Sequence, residues 1–127
     1  MNSILVVALG GAIGSVARYL LSTWVMQRAT DWRFPIGTFL VNLVGCLVIG
    51  VLAGLVLKNN LFTTETRLFL FTGIVGGFTT FSAFELETFT LLRNGEVLVA
   101  GGYILLSVAL GLLALWLGFS LTGQKNI

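Results

Sequence analysis

The sequence contains no histidine, one cysteine (Cys46), one proline (Pro35) and only 9% charged residues in 127. Each scarcity excludes something. A lone cysteine forms no intrachain disulfide. Without histidine, imidazole and multi-thiolate metal sites and Ser-His or Cys-His nucleophile pairs are ruled out. Acids and bases are few and no nucleophile–base pair is readable, so an enzyme is the least expected class. A soluble domain of this size carries roughly a quarter charged residues, whereas this chain is 57% hydrophobic with a mean hydropathy of +1.02. Too little polar side chain is present to cover a water-facing surface. A lipid bilayer is therefore the expected solvent, and the class is integral membrane protein. The net charge of +2 is small and scattered, which argues against nucleic acid as a partner.

What the chain has in abundance is long apolar runs. A helix needs about 20 apolar residues to cross the hydrocarbon core, and four runs qualify, about 4–26, 35–57, 67–92 and 97–121. The expected architecture is all-α, a single transmembrane domain of four helices over residues 1–127. The first polar connection runs from Arg28 to Arg33, with Trp32 suited to the membrane interface. Lys58 to Thr66 forms the second, where Thr63 or Thr64 followed by Glu65 can cap the next helix. Asn94-Gly95 is a natural helix stop in the third, and Pro35 suits a helix start. Ser15-Val16-Ala17 resembles a cleavage site. No Lys or Arg precedes the first run, however, and the run continues past that site, so it reads as a retained helix.

Basic residues near span ends set orientation. Four spans put Lys58, Arg67 and Lys125 on one side and Arg28, Arg33 and Arg93 on the other, three against three. Arg18, inside the first span, shifts this tie by only one. The tie leaves no preferred topology and predicts insertion both ways round, with assembly as an antiparallel homodimer. A fixed topology set by a partner or by lipids is the alternative. Gly10/Gly14, Gly50/Gly54 and Gly73/Gly77 form Gly-x-x-x-Gly pairs, which allow close helix approach within a subunit or between subunits.

The segment GGFTTFSAFELETF, residues 76–89, breaks the apolar pattern with glycines, hydroxyls, phenylalanines and two glutamates. Gly76-Gly77 followed by Thr79-Thr80 is poor helix former. A helix interrupted there frees backbone carbonyls, which survive at membrane depth only inside protein, beside water or on an ion. If helix resumes by Phe81, then Phe81, Phe84 and Thr88 share a face while Ser82 points elsewhere. Other embedded polar groups are Arg18 in the first span, Thr38 and Asn42 four apart in the second, and Tyr103 and Ser107 four apart in the fourth. These donors are neutral or cationic and suit a small anion, and phenylalanine ring edges carry partial positive charge. Glu85 and Glu87 would repel an anion on its path, so they are expected near a span end or hydrogen-bonded away. Each residue also has a purely structural reading. Asn42 would serve as an interhelical clamp, Arg18 would snorkel or pair with Glu87, and membrane Ser and Thr commonly bond their own i−4 carbonyls.

These residues resemble the Fluc (CrcB) fluoride channels along the whole chain. The resemblance rests on Gly10-Gly11-x-x-Gly14 with Arg18, on GTFLVN (Gly37–Asn42), on TGIVGGFTTFSAF (Thr72–Phe84), and on Gly102-Tyr103 with Ser107. It implies an antiparallel, dual-topology homodimer in the bacterial inner membrane, with a broken third helix and two pathways for passive exit of cytoplasmic fluoride. Phe81 and Phe84 match phenylalanines whose ring edges contact fluoride. Asn42 matches the amide of a polar track, and Thr38, Ser82, Tyr103 and Ser107 match other pathway positions. Arg18 matches an arginine near the aqueous vestibule. Gly76 and Thr79 match residues whose carbonyls, from both subunits, hold a structural Na⁺ on the two-fold axis. Three features depart from relatives: Ala83 lacks a hydroxyl, Glu85 stands where a serine is common, and Gly111 replaces a serine of some members.

One rival is a proton-coupled exporter of cationic drugs, which also has four spans but needs a carboxylate in the first. This first span carries Arg18 and no acid. A non-transporting structural membrane protein would need neither Asn42 nor a broken aromatic helix.

Overall fold

The computed structural model describes residues 2–29 and 33–122. Trp32 and Lys125, invoked above for the interface and the charge count, lie outside the described residues. Four helical crossings are long and apolar enough to span a membrane, and the protein is an all-α, multi-pass membrane protein.

The first helix, Ser3–Arg28, is capped by Asn2, whose side chain accepts the Ile4 N–H at 2.7 Å. At its far end Arg28 lies over the Trp24 ring at 4.1 Å and donates to the Trp24 carbonyl, a cation at the negative end of the helix dipole. The second helix, Ile36–Asn59, starts directly after Pro35 and stops at Asn60 in left-handed conformation, φ 49°. The fourth, Val97–Thr122, follows a stop at Asn94 and Gly95, the latter at φ +79°.

The third crossing, 64–93, is bent and has two halves. It opens at Thr64 rather than at Arg67, because Thr63 caps it by accepting the Thr66 N–H. Arg67 is then held inside the first turns by donating to Asn60 Oδ1 (2.6 Å) and the Phe62 carbonyl (3.2 Å). A wide π-helical stretch, Leu68–Val75, leads through a short turn to Phe78. Thr79 and Thr80 are extended, with φ/ψ of −85°/158° and −148°/118°. Helix resumes at Phe81 and runs to Arg93, so the interruption falls at the two threonines, one residue past the glycine pair.

The second helix packs along the fourth, and the first packs along the N-terminal half of the third crossing. That second contact is made through backbone. A methyl placed on Gly10 would sit 2.6 Å from the Phe69 carbonyl oxygen, and one on Gly77 would sit 2.8 Å from that of Gly11. The glycine pairs of the first and third crossings therefore serve packing within one subunit. Only 11–22% of each crossing's most apolar window is buried. Most of the apolar surface therefore faces outward, as expected where lipid tails or another membrane chain are the neighbours.

Candidate functional site

Asn42 and Thr80 define the break. The Thr80 N–H donates to Asn42 Oδ1 at 2.8 Å, and Asn42 Nδ2 donates back to the Thr80 carbonyl at 3.1 Å. One side chain thus satisfies both backbone groups of a residue that no helix ladder serves, at a depth where an unpaired group is costly. The interhelical-clamp role of Asn42 is the one the geometry displays. Its second amide hydrogen remains available to the adjoining cleft. Gly45, one turn along, lets the Thr79 methyl seat against the second helix, since a Cβ there would overlap it.

The break diverts donors from two carbonyls. In an unbroken helix the Gly76 carbonyl would accept from the Thr80 N–H, and the Thr79 carbonyl from the Ala83 N–H. The first of these donors goes to Asn42 Oδ1 and the second to Thr80 Oγ1, at 3.2 Å. Arg18 meets the same half-helix end, where its Nε donates to the Gly77 carbonyl at 3.2 Å. It pairs with that carbonyl and not with Glu87. A guanidinium is well placed at the C-terminal, negative end of a half-helix.

Beside the break lies a cleft of about 390 Å³ between the second, third and fourth crossings. Asn42, Thr79, Phe81, Phe84 and Ser107 line it, together with Cys46 and several aliphatic side chains. No carboxylate is among the lining residues. The Phe81 and Phe84 ring centroids are 6.0 Å apart, and Phe84 meets Tyr103 edge-on at 4.9 Å. Phe81 is 73% exposed on the single chain and Phe84 is half-buried, so the two rings grade from the surface inward.

Thr38 and Tyr103 are brought to a different point. Both hydroxyls donate to Glu87, Thr38 to Oε2 at 2.7 Å and Tyr103 to Oε1 at 2.8 Å. Tyr103 is wholly buried. Glu87 is thus a hydrogen-bonded hub joining three crossings. Sequence reasoning placed Thr38 and Tyr103 on the pathway without finding this partner. The available signal was Glu87 lying three residues beyond Phe84, on nearly the same helical face. Ser82 and Gly76 are exposed on the single chain, and Glu85 faces outward as well. Thr88 and Thr90 bond their own i−4 carbonyls. Among the described residues no group of three or more His, Cys, Asp or Glu side chains is placed to hold a metal ion.

The family model described as "CrcB-like protein, Camphor Resistance (CrcB)" matches residues 5–119. The chain belongs to the CrcB family. Among its CrcB relatives, a protein named "Fluoride-specific ion channel FluC" from Methylobacillus flagellatus is 57% identical over 121 residues, covering 95% of this chain and 94% of the relative. The proteins of that name from Rhizobium meliloti and Chloroflexus aurantiacus are 46% and 48% identical, each over 95% of this chain and 96% or 95% of the relative. These CrcB proteins are named as ion channels, a non-enzymatic class, and the present chain is no enzyme.

Proposed function

We propose that this CrcB-family chain is a fluoride-selective channel through which cytoplasmic fluoride leaves passively across the bacterial inner membrane. The observation that carries the reading is the clamped break. It sets the Phe81 and Phe84 rings on a cleft that offers neutral donors, Asn42 and Ser107, and no carboxylate. An ion crosses quickly only where binding is good enough to shed water and weak enough to release. Amide and hydroxyl donors with phenyl edges meet both conditions for a small anion. The names of the relatives supply the ion.

In this reading Asn42, Ser82, Thr38, Tyr103 and Ser107 form the polar side of the path, Phe81 and Phe84 the aromatic side, and Arg18 the vestibule cation. The working unit is an antiparallel dual-topology homodimer with two pathways, supported by the balance of basic residues and by the outward exposure of Phe81 and Gly76. Gly76 and Thr79 suit a structural Na⁺ at the dimer axis, because their carbonyls have lost their helical donors. Such an ion would supply positive charge to opposed carbonyl dipoles and tie the two breaks together.

The decisive experiment is efflux from proteoliposomes read with a fluoride electrode, with chloride and a drug cation as controls. Fluoride flux without chloride or drug flux is expected. Drug flux dependent on a proton gradient would overturn the channel reading.

A further inference from the structure

We propose that the Arg33–Glu96 ion pair stands at a second mouth of the ion path and sets, through its field, how often anions reach that mouth. The proposal rests on the anion-channel reading above. A second cavity, of about 490 Å³, opens where the second and fourth helices begin and the third crossing ends, with Arg33, Pro35, Glu87, Thr90, Asn94 and Glu96 on its walls. Its inner wall is Glu87, which holds the Tyr103 and Thr38 hydroxyls. The Tyr103 ring in turn touches Phe84, which lines the first cleft. A chain of side-chain contacts, Phe84–Tyr103–Glu87, therefore runs from one cavity to the other.

On the open side of the second cavity, Arg33 Nη1 donates to Glu96 Oε2 at 3.0 Å and to Oε1 at 3.3 Å. The Arg33 side chain is 68% exposed and that of Glu96 27%. An exposed pair of this kind adds little to stability. It acts at range on ions arriving from water, where a charged rim raises or lowers the local ion concentration. The charged side chains lining the cavity are Arg33, Glu87 and Glu96. Glu96 offsets part of the pull that the guanidinium exerts on anions, while Glu87, held by its two hydroxyl partners, keeps its own charge deeper in. Glu96 is the throttle and Arg33 the collector.

The test compares fluoride efflux from proteoliposomes for the wild type, Glu96→Gln, Arg33→Gln and Arg33→Lys, at low ionic strength and again with impermeant salt near 0.5 M. At low ionic strength Glu96→Gln should raise flux about threefold and Arg33→Gln should lower it by a similar factor. Arg33→Lys, which keeps the charge and loses the two-oxygen grip, should match the wild type. High salt should bring all four together as screening shortens the reach of the charges. If the wild type conducts and Glu96→Gln and Arg33→Gln conduct identically to it at low salt, the proposal fails and the channel reading stands. Changes that persist at high salt, or appear equally in Arg33→Lys, would mark the pair as a mechanical clasp and overturn the field role. A wild type without fluoride flux would bring down both.

Discussion

The two halves of the third crossing are held by opposite means. The half before the break lies against the first helix almost backbone to backbone, through Gly10, Gly14, Gly73 and Gly77, and Arg18 adds a side-chain bond from that helix. The half after the break meets its neighbours through side-chain polar groups, chiefly Thr38 and Tyr103 on Glu87, and through the Phe84–Tyr103 ring contact. Close glycine packing offers dispersion and no alternatives, because nothing in it can rotate. Hydroxyl and carboxylate contacts are directional and can exchange partners. The first half is therefore the anchor, and in the proposed channel the second is the half that borders the ion path. Asn42 stands at the junction and fixes where one regime gives way to the other.

The comparison predicts the heaviest loss from the anchor. Gly10→Leu drives a side chain into the Phe69 carbonyl and should cost upwards of about 3 kcal/mol, leaving no well-folded protein on size-exclusion chromatography in detergent. A folded, conducting Gly10→Leu would show that the anchor yields after all. Next comes the junction. Asn42→Asp keeps the acceptor for the Thr80 N–H, loses the donor to the Thr80 carbonyl and adds a negative charge to the cleft. Fluoride efflux should fall below detection. Asn42→Ala, without the charge, should lose about 1–3 kcal/mol for each backbone group it leaves unpaired, read as a lower thermal midpoint.

Changes in the second half, after the break, should spare the fold. Phe81→Ile or Phe84→Ile should cut efflux at least about tenfold through loss of the ring edges, while the elution volume stays that of wild type. Unchanged flux would remove the rings from the mechanism. The smallest effect is expected at the hub. Tyr103→Phe removes the Tyr103 hydroxyl donor to Glu87, leaving that of Thr38, and should destabilise by about 1 kcal/mol, a shift of a few degrees in melting temperature.

Much of this division was legible in the residues. Run length gave the crossings, Thr63 and Asn94-Gly95 marked helix ends by ordinary capping chemistry, and glycine beside β-branched threonine announced the interruption. The remainder depends on tertiary register. Arg67 reads as an end to hydrophobicity, yet it lies inside the helix because Asn60 and the Phe62 carbonyl take its hydrogen bonds. The π-helical stretch Leu68–Val75 is a uniformly apolar run with no composition to distinguish it from α-helix. The partner of Asn42 is a backbone unit 38 residues further on, which no local spacing encodes. The gathering of Thr38 and Tyr103 on Glu87 likewise follows only once three crossings are aligned.

Arg18 carries a consequence for how the protein is made. Its partner is a neutral carbonyl 59 residues downstream, which eases its hydrogen bonding and leaves its charge whole. Until the third crossing emerges from the ribosome, the first helix enters the membrane with that arginine unsatisfied, at a cost of about 2.5–3.5 kcal/mol near mid-bilayer. The nascent first helix should thus be a reluctant occupant of lipid until Gly77 arrives to receive its arginine.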